Sequence, residues 1–149
     1  MNRRDPITSI LKYKGGEIWS VSPDHSVYEA LQKMADKEVG ALLVISGDEL
    51  VGIISERDYT RKVILEGRSS KKTQVSEIMT SPVIHVTPRQ TVDECMTIMT
   101  NQRVRHLPVM EGKRLLGVVS IGDLVKWTIT EQAEMIQQLE RYIAGNFPA

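Results

Sequence analysis

The residues best suited to chemistry are a serine and an aspartate three positions apart, found twice: in Gly52-Ile53-Ile54-Ser55-Glu56-Arg57-Asp58 and in Gly117-Val118-Val119-Ser120-Ile121-Gly122-Asp123. Each pattern reads as a strand running into a helix. A helix N-terminus offers backbone N–H groups without intrahelical partners and the positive end of the dipole. The hydroxyl of Ser55 or Ser120 can donate to a phosphate, and the carboxylate of Asp58 or Asp123 can accept two hydrogen bonds from a ribose diol. Gly52 and Gly117 would let a ligand ring approach the backbone. The competing reading is that Ser-x-x-Asp is only a helix cap, since those side chains can satisfy the helix's own N–H groups.

Cationic residues lie near both patterns. Arg103, Arg105 and His106 fall together in Gln102-Arg103-Val104-Arg105-His106-Leu107-Pro108-Val109, just ahead of an apolar run. Strand alternation puts Arg103 and Arg105 on one side and His106 on the other. Arg57, Arg61 and Lys62 form a second group. Such groups read either as a solvated charged loop or as an anion site, for which the guanidinium fork is well matched to phosphate. With 19 Lys+Arg against 19 Asp+Glu the chain has no net charge, which argues against a general polyanion binder. His25, His85 and His106 lack metal-ligand spacing and have only Cys95 as a sulfur partner, so no metal site is expected. Cys95 reads as a buried structural thiol. Neither a Walker loop nor Gly-x-Gly-x-x-Gly is present, and no catalytic constellation is expected.

The elements that position these residues come from a duplication. A shift of 65 residues lays Val21–Tyr59 on Val86–Leu124 without a gap, matching Pro23 with Pro88, Met34 with Met99, Gly52 with Gly117, Ser55 with Ser120 and Asp58 with Asp123. Each copy starts with an extended segment ending before Pro23 or Pro88. A capping box follows, Ser26 to Glu29 or Thr91 to Glu94. Apolar residues then recur at helical spacing: Val27, Ala30, Leu31 and Met34, or Val92, Cys95, Met96 and Met99. Two strands flank a glycine turn, Ala41–Ile45 with Leu50–Ile54 and Leu107–Met110 with Leu115–Val119, and a second helix starts at the serine. The unit is β-α-β-β-α, and half a chain of this size needs its sister copy to fold.

The expected boundaries are a lead-in over 1–16, a first repeat over 17–66, a polar linker over 67–80, a second repeat over 81–126, and an amphipathic helix with tail over 127–149. Gln74–Thr80 reads as a short turn of helix. Met135, Ile136, Leu139, Tyr142 and Ile143 recur at helical spacing ahead of a stop at Gly145-Asn146-Phe147-Pro148. That helix could cover its own domain or pair with another subunit. The seven Met residues read mainly as core filler. No run approaches a membrane span or a secretory signal, and a lone cysteine suits a reducing compartment, so a cytoplasmic location is expected.

The duplicated unit, the Val-Ser-Pro-x-x-Ser-Val and Val-Thr-Pro-x-x-Thr-Val starts, Arg-His-Leu-Pro-Val, and the Gly-h-h-Ser-x-x-Asp endings together resemble a tandem cystathionine β-synthase (CBS) domain pair, or Bateman module, of the stand-alone prokaryotic type. The resemblance spans roughly Glu17–Lys126 and implies an α+β fold, with two repeats packed about a pseudo-twofold axis and a C-terminal amphipathic helix. It implies a non-catalytic sensor that binds an adenine nucleotide (AMP, ADP, ATP or NAD) in clefts between repeats, as a homodimer and without nucleic-acid or membrane partners. By that resemblance Asp58 and Asp123 would hold ribose and Ser55 and Ser120 would lie near phosphate. Arg57, Arg103, Arg105 and His106 would meet phosphates, Arg61 from the same cationic group as Arg57 is a further candidate for the ligand, and the backbone around Ala41 and Leu42, with Trp19 and Ile84, would wall the adenine. The first repeat has Lys37-Glu38-Val39-Gly40-Ala41 where the second has its basic cluster, and Gly122 stands where the first has Arg57. One phosphate site should therefore be the stronger. The alternative is a dimerisation or adaptor module with vestigial sites.

Overall fold

The computed structural model of the chain describes residues 4–15 and 17–144. The expected helix stop at 145–148 lies outside the described residues. The chain divides into two compact units, Glu17–Ile84 on one side and Met1–Gly16 with His85–Ala149 on the other.

In the unit Glu17–Ile84, β1 (Ser20–Val21) runs parallel to β2 (Ala41–Ser46), and β2 pairs antiparallel with β3 (Glu49–Ser55). The hairpin turns at Gly47, whose φ of 61° is the left-handed geometry that glycine takes without a Cβ penalty. A register slip between Val44 and Ile45 re-aims the hairpin, so that Ala41 faces Ser55 at its open end. The helix α2 (Val27–Lys37) is capped by Ser26, whose side chain accepts from the Glu29 N–H. Its apolar stripe, Val27, Ala30 and Met34, is buried with Leu42, Val44 and Ile54 from the hairpin. β3 passes directly into α3 (Glu56–Tyr59), which continues as a π-helical turn over Thr60–Ile64. Buried Val63 anchors that turn in the core.

The second unit repeats the plan. Its helices are α5 (Val92–Gln102), capped by a Thr91–Glu94 box, and α6 (Ile121–Ile143); β4 (His106–Glu111) and β5 (Arg114–Ser120) form the hairpin between them. The slip recurs between Val109 and Met110, and His106 faces Ser120 as Ala41 faces Ser55. Val86 bridges Val109 in parallel, the counterpart of β1 on β2. Cys95 lies fully buried on the apolar stripe of α5. In α6, Leu124 and Trp127 are buried, while Val125, Ile129, Ile136, Leu139 and Ile143 are exposed.

The two flanking segments differ from a bare lead-in and a bare linker. Residues 7–14 form a helix, α1 (Ile7–Lys14), packed against β5 and α6, with Ile7 and Ile10 buried. Residues 67–80 belong to the unit Glu17–Ile84: Thr73 is buried, α4 (Val75–Ile78) packs on β3, and Thr80 bridges Ile53. The two segments are joined to their units by matching bonds. The Ile7 N–H donates to the Gln90 carbonyl at 2.7 Å and Val92 to Asp5 at 3.0 Å; Val75 donates to His25 and Val27 to Thr73, both at 2.8 Å. Each repeat is therefore completed by a short helical piece that sequence identity does not reveal.

If α1 is part of the fold of the second unit, Ile7→Ala should lower stability by about 2–5 kcal/mol, the range for emptying a buried isoleucine site. Urea unfolding measures this; a change within about 0.5 kcal/mol, the size of an ordinary surface effect, would make the lead-in dispensable.

Candidate functional site

At the junction of β3 and α3 the serine and aspartate bond to each other's backbone. Asp58 accepts from the Ser55 N–H at 3.0 Å and from its hydroxyl at 3.1 Å, while the Asp58 N–H donates to Ser55 Oγ at 3.2 Å. The Glu56 N–H donates to the Gly40 carbonyl at 3.0 Å. Three of the four N–H groups at this helix start are thus satisfied within the protein. The other oxygen of Asp58 accepts from Thr80 Oγ1 at 3.3 Å and lies 3.2 Å from Lys62 Nζ, one helical turn on. Lys62 also donates to the Ile78 carbonyl at 2.9 Å, which ties α4 to the site.

The junction of β5 and α6 is built alike. Asp123 accepts from the Ser120 N–H at 2.8 Å, its own N–H donates to Ser120 Oγ at 3.1 Å, and the Ile121 N–H donates to the Arg105 carbonyl at 2.8 Å. Its lysine is Lys14, from the end of α1, 2.7 Å from the carboxylate and donating also to the Val118 carbonyl at 2.8 Å. Burial pushes the Asp123 carboxyl up, but the hydrogen bonds from Lys14 and Ser120 and the Lys14 charge prevail, holding it below its ordinary value. The expectation of an open set of helix N–H donors is corrected in both units: the cap takes most of them.

The glycines serve a different neighbour from the one expected. A Cβ on Gly52 would lie 2.5 Å from the Met79 sulfur, and one on Gly117 would lie 2.8 Å from Leu11 Cδ2. The space over each is filled by a side chain from a flanking segment. Of the cationic residues, Arg57, Arg61, Arg103 and Arg105 are exposed. Arg103 is the left-handed C-cap of α5, as Glu38 is of α2. His106 is half-buried; burial first, then the charges of Lys14 and Arg105, push its imidazolium below the ordinary 6.5 against the pull of Asp123. It is uncharged at neutral pH, so the basic cluster is two arginines and a neutral imidazole. Trp19 is half-buried under Lys37, whose ammonium sits 4.5 Å from the ring centroid, and its carbonyl accepts from Leu43. Ala41 and Ile84 are half-buried and Leu42 is fully buried.

The unit Glu17–Ile84 holds Trp19, Ala41, Ser55, Arg57, Asp58, Arg61 and Ile84; the other holds Arg103, Arg105, His106, Ser120 and Asp123. Lys14 and Thr80 escaped sequence reasoning because the flanking segments bring them to the aspartates from outside the 65-residue register. Lys62 was legible only as one of a basic group. Burial, and secondarily the Glu94 charge, push the Cys95 thiol up to about 11, which makes it a poor nucleophile. Among the described residues no group of His, Cys, Asp and Glu could hold a metal ion, and no helix is long and apolar enough to cross a membrane.

A duplicated β-α-β-β-α unit with a capped aspartate at the same junction of each copy defines a tandem module of two like units. The CBS domain model matches residues 4–64 and 75–129, and the chain belongs to the CBS-domain family. It is 43% identical to the mitochondrial CBS domain-containing protein CBSX3 of Arabidopsis thaliana, over 95% of this chain and 73% of that protein. A solved CBS-domain protein from Burkholderia ambifaria MC40-6 is 51% identical, with a TM-score of 0.83 over 86% of this chain and 96% of that one. The CBS domain pair of protein MJ0100, solved in complex with 5′-methylthioadenosine and S-adenosyl-L-methionine, shares the fold at a TM-score of 0.76 and 22% identity, over 85% of this chain and 98% of that one.

Because the folded-state pKa of Asp123 is lowered, its contribution to stability is complete above the ordinary 3.8 and is lost as pH falls through the lowered value. Lys14→Met should move the carboxyl titration of Asp123 upward, followed by NMR, and shift that loss of stability to higher pH. An unmoved midpoint would mean that Lys14 does not govern this carboxylate.

Proposed function

We propose that the chain is a non-catalytic sensor of adenosine-containing ligands, an adenine nucleotide such as AMP, ADP, ATP or NAD, whose binding shifts a conformational or assembly equilibrium. The observation that carries this reading is the pair of half-buried carboxylates, Asp58 and Asp123, each fixed by its own helix cap and each beside a lysine. A carboxylate accepts hydrogen bonds, and a ribose diol presents two O–H donors to such a group. Lys62, Lys14 and the exposed Arg57, Arg61, Arg103 and Arg105 supply cations for the phosphates. The half-buried Trp19, Ala41 and Ile84 supply apolar surface for the base. The adenosine-containing ligands of the MJ0100 domain pair support this class of ligand. A single buried thiol suits a reducing compartment, the cytosol in the first instance.

The two sites should differ. Arg57 stands beside Asp58 where glycine stands beside Asp123, whereas the segment before Ser120 carries Arg103 and Arg105 where the first repeat has Glu38 and Gly40. A second reading, assembly through a homodimer, is favoured by the exposed apolar residues of α6 and is independent of nucleotide.

Calorimetric titration with AMP, ATP and NAD tests the sensor. Binding of at least one is expected. Asp58→Asn and Asp123→Asn should each weaken one site by about tenfold to a hundredfold, the size of a hydrogen bond to a charged group. No heat with any of the three at millimolar concentration would reject the reading, and two variants that bind like the parent would reject the ribose role.

A further inference from the structure

The outer face of α6 carries a heptad seam. Val125, Ile129, Gln132, Ile136, Leu139 and Ile143 follow one another at steps of four, three, four, three and four residues, which is the spacing that keeps one line of side chains facing a partner helix. Ile129, Ile136 and Ile143 occupy one core position of the heptad, and Val125, Gln132 and Leu139 occupy the other. The aliphatic members are 42% to 82% exposed. The helix buries Leu124 and Trp127 and packs on α1, α5 and β5 of its own unit, with Trp127 edge-on to Tyr13, so the seam is a second face rather than the one that holds α6 down. Five large aliphatic side chains in line on one helix are a surface that soluble proteins cover.

We propose that this seam pairs with the same seam of a second copy of the chain, in antiparallel orientation. The charge pattern selects both occupant and polarity. The flanking positions on one edge of the seam are Lys126, Ala133 and Glu140, spaced at seven. Two antiparallel copies bring those edges together about a twofold axis near Ala133. Lys126 of each then meets Glu140 of the other, and Ala133 is small enough for the helices to approach at the axis. The same register sets Val125 against Ile143, Ile129 against Leu139 and Gln132 against Ile136, with every aliphatic seam residue covered. A parallel pair offers no such match: it sets Glu140 against Met135 and Ala133 against Thr128, and it stacks Gln132 on Gln132. The length from Val125 to Ile143 corresponds to about 28 Å of helix, enough for a marginal pairing sensitive to concentration.

This proposal rests on the assembly reading and not on nucleotide binding. Sedimentation equilibrium of the full chain in the absence of nucleotide, with its Leu139→Glu, Lys126→Glu, Glu140→Lys and Lys126→Glu/Glu140→Lys variants, tests it. The parent should be a dimer at tens of micromolar, and Leu139→Glu, whose side chain is exposed and outside the core, should be a monomer with an unchanged far-ultraviolet spectrum. Each single charge reversal removes two attractions and adds two repulsions, which should weaken dimerisation about tenfold, and the double reversal should restore it. A monomeric parent would overturn both the assembly reading and the seam. A dimer indifferent to Leu139→Glu would leave assembly standing and overturn the seam. A double reversal no better than the single ones would overturn the antiparallel register.

Discussion

The reciprocal bond between a serine and an aspartate three residues apart, made where a hairpin strand becomes a helix, is the constraint around which both units are organised. Strand and helix meet there without a loop, so the peptide groups that leave the sheet must be satisfied at once. The aspartate takes the serine N–H, the serine takes the aspartate N–H, and the carbonyl of Gly40 or Arg105, at the entry to the hairpin, takes the first helical N–H. That last bond is available only because Ala41 faces Ser55 and His106 faces Ser120 across the hairpin. The register slip in each hairpin therefore matters to the site: moved by one residue, the pairing would turn the buried face outward and withdraw the carbonyl from the helix.

A cap of this kind consumes the donors that a helix end would otherwise offer to an anion. What it leaves is a carboxylate fixed in place, with a cation supplied from elsewhere. Lys62 and Lys14 are each partly exposed, and pairs of that kind contribute roughly 0–1 kcal/mol. Such a lysine pairs with the aspartate at its outer edge and can be turned away with little loss. The junction is thus rigid in its backbone and exchangeable at its outer edge, the combination needed for a site that is preformed yet open to competition by a small polar ligand.

The hairpins, the capped helices and the Ser–Asp junctions were legible because each depends on residues close in sequence and recurs at the same 65-residue shift. The helical turn within Gln74–Thr80 was legible as well, but the helix over Ile7–Lys14 and the equivalence of the two completing segments were not. Asp5, Ile7, Ile10 and Leu11 occupy the positions that Thr73, Val75, Ile78 and Met79 occupy in the other unit, 68 residues on. Only Ile10 and Ile78 are the same residue type in those pairs, and the spacing differs from the 65 of the main repeat. Apolar size and backbone bonding are retained there, which self-comparison by identity does not detect. The glycines misled for a related reason: an absent Cβ shows that something comes close, and here the close neighbours are Met79 and Leu11. His106 reads as a cation in the sequence because its neighbours are arginines; burial first, then the charge of Lys14 and more weakly that of Arg105, lower its pKa.

These differences make the two junctions unequal in a way that the duplicated motif conceals. The lysine of Asp58 comes from the next turn of the same helical stretch, so that pair survives as long as the turn does. The lysine of Asp123 comes from a segment more than a hundred residues away in the chain and is present only while α1 is docked on β5 and α6. Whatever loosens α1 removes a cation from Asp123, and whatever draws Lys14 from Asp123 takes one tether from α1. By linkage the two effects are equal in free energy. The docking of α1 and the charge state of Asp123 are therefore coupled through a single ion pair, whereas at Asp58 the flanking segment contributes a neutral donor, the Thr80 hydroxyl, and a carbonyl that holds Lys62.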